Sequence, residues 1–253
     1  MSDTSVQPVG ESTPALTQIQ RVVDTFSAPS KTFTDIARGH KSWWVPFLIY
    51  IILGYAFYGA VNSKIGMRQV SENQVKLSPK TEERLAALTP EQREAQMKIT
   101  VAFTQGVFLA TPVVLLIMGV VLAAVLLGTI NFVFGGKAKF TSLFTVWMYA
   151  MLPSMIKTVL GIIVIYAGSA PESFNIKNYA PTNLGAFLNP GETNAALYSL
   201  ATSLDAVTIW TLVLVAIGTS IVAGTKRSSG YIAVFGWWAI IVLLGVGTAV
   251  VTG

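Results

Sequence analysis

The sequence has no cysteine and a single histidine, His40, in 253 residues. Disulfides are excluded. One imidazole and no thiol leave almost nothing from which to build a zinc site, an iron–sulfur cluster, a thiol nucleophile or a Ser-His-Asp triad. Charge is scarce as well: Asp, Glu, Lys and Arg make up 11% of the chain, against about 25% in soluble domains. There is no Gly-rich phosphate loop after a strand, no HExxH and no nucleophile elbow. No cofactor, no metal and no catalytic residue is therefore expected. What fills the space is apolar, with 53% hydrophobic residues and a mean hydropathy of +0.60. Such a chain cannot hide its apolar surface in water, and it reads as an integral membrane protein. Its net charge of +5 comes from scattered lysine and arginine flanking the apolar runs, which is not the footprint of a nucleic-acid binder.

The run from Ser203 to Gly224 organises the rest. It carries no charge between Asp205 and Lys226, and about 20 apolar residues suffice for an α-helix to cross a bilayer. Thr208, Ala216, Ser220 and Gly224 recur at multiples of four on one face. Small residues at that spacing let a neighbouring backbone come close, so this helix is expected at the centre of a bundle. Four other runs qualify, giving spans at 43–61, 109–134, 141–168, 204–224 and 231–251. The fold class is all-α and polytopic. A helix continuous from Ile99 to Phe134 would reach about 54 Å, well beyond a hydrocarbon core of about 30 Å. A division is expected at Thr111-Pro112, where the ring removes a hydrogen bond. Pro153 interrupts the third span in the same way.

Outside the spans, residues 1–15 are polar and proline-bearing and read as a disordered cytoplasmic tail. Residues 16–42 hold two short amphipathic segments. Leu16, Ile19, Val22, Val23 and Phe26 form one apolar face, Phe33 and Ile36 another, and both fit helices on the membrane surface or packed under the bundle. Between Asn62 and Lys98 two starts, Ser78-Pro79 and Thr89-Pro90-Glu91-Gln92, predict a solvated helical hairpin outside the cytoplasm. The 169–202 loop shows only one short helix, Glu192 to Leu200. Lys137, Lys139, Lys226 and Arg227 share one side with Arg38 and Lys41, which places the N-terminus in the cytoplasm and the C-terminus outside an inner membrane. The basic 62–98 loop pulls the other way, partly offset by its five glutamates.

Lys157 is the one charge well inside a span. Counting from Leu143, its Cα lies roughly 21 Å in, at a cost of about 2.5–3.5 kcal/mol if left at a helix centre. Asp205 enters from the same surface, so the two are a candidate pair, either holding the bundle together or lining a substrate or ion site. For Asp205 the structural alternative is a capping box with Thr202 as cap. Pro112 and Pro153 are candidate kinks or cavity edges, and Trp210 is expected to pack beside Pro153. Trp43, Trp44, Trp237 and Trp238 read as interface anchors.

Several landmarks together resemble the Yip1-domain family, in its bacterial branch. The carriers are Ser27-Ala28-Pro29 with Phe33 and Ile36 ahead of Trp43, Trp44 and Pro46, then Leu152-Pro153. The strongest is Ser203-Leu204-Asp205 to Ile209-Trp210, followed by Leu214 to Gly218. The resemblance runs from about Val22 to the C-terminus and implies a cytoplasmic N-terminal region and five membrane helices. For the eukaryotic relatives it implies association with prenylated small GTPases on vesicle-traffic membranes. Here residues 1–42 stand where those relatives have a long polar domain, and that role is not carried over. Two functions are expected from this sequence. The first is an organising or scaffold subunit that contacts membrane lipids and a protein partner, or a second copy, through small-residue helix faces. The other is a small-solute or ion permease using Lys157 and Asp205.

Overall fold

The computed structural model describes residues 14–168 and 170–252. The expected tail lies almost wholly outside them. The order is α1 (Gln18–Ser27), α2 (Pro29–Ala37), α3 (Trp44–Lys64), α4 (Met67–Lys76), α5 (Pro79–Ala86) and α6 (Pro90–Leu109). There follow α7 (Thr111–Gly128), α8 (Phe140–Ala150), α9 (Ser154–Tyr166), α10 (Ala195–Ser203), α11 (Ala206–Ala223) and α12 (Arg227–Thr252). Among the described residues five stretches are long and apolar enough to cross a membrane: Trp44–Lys64, Thr111–Val133, Phe140–Tyr166, Ala206–Ala223 and Arg227–Val251. The third joins α8 and α9 across Pro153. The all-α polytopic architecture read from the sequence is the observed one.

Local chemistry sets the boundaries. Thr17 and Thr89 each close a capping box with a glutamine three residues on, starting α1 and α6. Pro29, Pro79 and Pro90 occupy first-turn positions, where the missing N–H costs nothing. After α7 the helix loosens into one π turn at Thr129–Val133. Asn131 then closes the basic turn by donating to the Ala138 carbonyl and accepting from the Ala138 N–H.

The sequence reading missed α4. Gly66, at φ +86°, separates it from α3 in a conformation that side chains rarely adopt. Met67, Val70 and Val75 then turn inward. The connection to α5 and α6 is therefore three-helical, not a two-helix hairpin. Val75, Leu85 and Met97 pack its three helices together, and on the surface Arg68 bonds Glu72 and, through both terminal nitrogens, Glu94. These bonds keep the Glu94 carboxyl below the usual carboxylate range.

The core sits on α8 and α11. Every residue from Ser142 to Ala150 is buried, and 56% of the α11 span is buried against 6% of α12. α11 contacts α2, α8, α9 and α12, as its expected central place requires. Within this core two glycines make the closest approaches. A Cβ on Gly230 would lie 2.2 Å from the Ala216 carbonyl oxygen, and one on Gly218 would lie 2.4 Å from Val146. Helix α12 thus meets α11 nearly backbone to backbone, and the Val146 side chain of α8 seats against Gly218 of α11. The connections 135–139 and 224–226 form one end of the bundle, the turn end. Helices α4 and α5 and the 170–203 segment form the other, the loop end.

Candidate functional site

At the loop end the chain from 182 to 184 runs antiparallel to 204–206. Leu184 N–H donates to the Leu204 carbonyl, and Ala206 N–H to the Thr182 carbonyl. This short pairing holds Asp205 extended, at φ −110° and ψ 123°, at the start of α11. Asp205 is itself the N-cap, accepting from the Thr208 N–H at 2.7 Å. The expected capping box from Thr202 does not form. Helix α10 ends at Ser203, and the Thr202 hydroxyl donates back to the Ser199 carbonyl.

The Lys157 ammonium reaches Asp205 Oδ2 at 3.2 Å, with the lysine side chain 27% exposed and the aspartate 2%. The Thr182 hydroxyl donates to the same oxygen. One carboxylate thereby ties α9, α11 and the loop-end segment. Its two oxygens meet an amide, a hydroxyl and an ammonium, so little accepting capacity remains for a ligand.

Pro153 breaks the third span. In place of regular helix, a run of i to i−3 bonds carries the chain through 152–156. The Met151 carbonyl accepts from the Tyr50 hydroxyl, which also bonds the Ser154 hydroxyl. The kink is thus a clasp between α3 and the α8–α9 joint. Pro112 sits in the first turn of α7, directly after α6 ends. The Trp210 ring, expected beside Pro153, meets Phe26 of α1 edge-on at 5.8 Å. Of the small-residue stripe, Ala216 and Ser220 are buried inside the chain, Thr208 is half-buried and Gly224 is exposed. Gly224 takes φ +64° and ends α11 in a left-handed cap.

The residues that sequence reasoning missed are Arg21 and Asp35. Their side chains are 2% and 3% exposed and meet at 2.8 Å between α1 and α2. Arg21 also donates to Gln18 and to the Leu16 carbonyl, and its guanidinium lies 6.0 Å over the Tyr149 ring. The His40 Nδ1 stands 3.0 Å from the other Asp35 oxygen. The usual burial is reversed: Arg21 and Thr25 face the protein, while Ile19 and Val23 face outward, 77% and 55% exposed. That reversal suits a helix whose outer surroundings are lipid. The signal was present in the sequence, since Arg21 runs directly into Val22 and Val23 and Asp35 lies between Phe33 and Ile36.

Among the described residues no three His, Asp or Glu side chains gather closely enough to hold a metal ion. Geometry and composition define the class: an all-helical, five-span membrane protein with a buried carboxylate, answered by a half-buried lysine, at one end of its bundle. The family model for the Yip1 domain matches residues 23–249, and the chain belongs to that family. No curated protein and no solved structure matches it.

Proposed function

We propose that the chain is a non-enzymatic inner-membrane subunit that organises membrane or protein partners, with its N-terminus cytoplasmic and its C-terminus outside. The observation that carries this reading is how the Lys157–Asp205 pair is spent. A permease needs groups left free to exchange with solute, whereas Asp205 is engaged by Thr208, Thr182 and Lys157 together. The orientation rests on Lys137, Lys139, Lys226 and Arg227 at the turn end.

The surface left for others is long and apolar. On α12, Ile241, Leu243 and Leu244 are 57%, 71% and 65% exposed. Because Ala216 and Ser220 are covered by the chain's own helices, a partner helix or second copy would meet α12 rather than that stripe. A photo-crosslinking residue at Leu243 tests this in native membranes. A discrete protein adduct is expected, together with no solute flux from vesicles holding the purified protein. Lipid adducts alone, with a flux abolished by Lys157→Ala, would replace this reading with the permease.

A further inference from the structure

Between α3, the α6–α7 junction and α9, a groove of about 590 Å3 opens on the side of the bundle. Its walls are apolar, with Val107, Phe108, Leu115 and Met155 along its length. Phe103 stands at the lip, 72% exposed. Towards the loop end the chemistry changes, because Lys157 and Lys177 both line the groove there. Lys157 is answered by Asp205. Lys177 is exposed and has no ion-pair partner among the described residues. Two ammonium groups against one carboxylate leave this end with one surplus positive charge.

Lys177 also lines a second, more polar cavity of about 430 Å3, beside Asn178 and Ser199. It therefore stands between an apolar channel and a polar chamber. Neither lining contains an Asp or Glu, so no carboxylate is placed there to pair with a headgroup cation. The complementary molecule has a long apolar chain, a monoanionic phosphodiester and an uncharged polar head. We propose that this groove binds one anionic glycerophospholipid from the surrounding leaflet. An acyl chain lies along α3 and α9, the phosphodiester meets Lys177, and the head enters the polar chamber. Both volumes fall in the range of about 300–1,000 Å3 common to ligand sites. The inference is independent of whether the chain scaffolds partners.

The test is native mass spectrometry of the full chain released from nanodiscs of equal phosphatidylglycerol and phosphatidylcholine. One retained phosphatidylglycerol per chain is expected, enriched about fivefold over the disc, the ratio that one lysine near an anionic head supplies. Lys177→Gln should abolish the enrichment, while Lys139→Gln at the turn end leaves it unchanged. Gly54→Phe should remove the bound lipid altogether, since a Cβ at Gly54 meets nothing within 4 Å and the ring enters the groove. Leu115→Trp is a second blocking variant should that one fail to fold. Three results would overturn the proposal: equal retention of the two lipids, equal losses from the Lys177 and Lys139 variants, or displacement of the lipid by inorganic phosphate.

Discussion

Alanine at Asp35 is expected to lower the unfolding free energy in detergent by about 3–5 kcal/mol, the cost of stranding one member of a buried ion pair. Arg21 is 2% exposed and packed over Tyr149, so its charge has no route to water once the carboxylate is gone. The same physics sets a second expectation. Burial costs both charges their hydration, so replacing the pair with apolar residues of similar size, as in Arg21→Met with Asp35→Leu, should recover most of the loss. The control lies on the same helices: Ile19→Ala, at a position 77% exposed, should stay within about 0.5 kcal/mol of the wild type. A loss below about 1 kcal/mol for Asp35→Ala would mean that α1 and α2 are held by Phe33 and Ile36 alone.

Asp205→Ala is expected to cost roughly 2–4 kcal/mol, combining a lost helix cap with lost hydrogen bonds to a charged group. Lys157→Ala should cost less, because its side chain is 27% exposed and the ammonium can turn to water once released. What identifies the clasp is the cycle. Together the two substitutions should fall short of the sum of their separate costs by about 0.5–3 kcal/mol. Additive losses would show that Asp205 acts only as a cap and that Lys157 is not held by it.

The spans were legible because lipid imposes a length and a composition that few other structures share. The bound at Thr111-Pro112, the break at Pro153 and the Lys157–Asp205 partnership all followed from the same constraint. Other features depended on packing that local pattern does not encode. Asp205 became the cap in place of Thr202 because the 182–184 segment, remote in sequence, pairs with 204–206. The stripe read at steps of four on α11 receives Gly230 of α12 at Ala216 and Ser220, while the close approach at Gly218 lies off the stripe, and only coordinates choose among small residues. The amphipathic face of α1 was read correctly in periodicity. Its direction was open, because an apolar face points to protein in water and to lipid in a membrane.

With no native cysteine in the chain, labelling of single introduced cysteines by an impermeant maleimide tests the five-span architecture directly. Cysteines at Lys137 and Lys226 are expected to react from one side of sealed vesicles, and those at Glu83 and Lys177 only from the other. Reaction of Lys137→Cys and Lys177→Cys from the same side would remove a crossing between them and contradict the architecture.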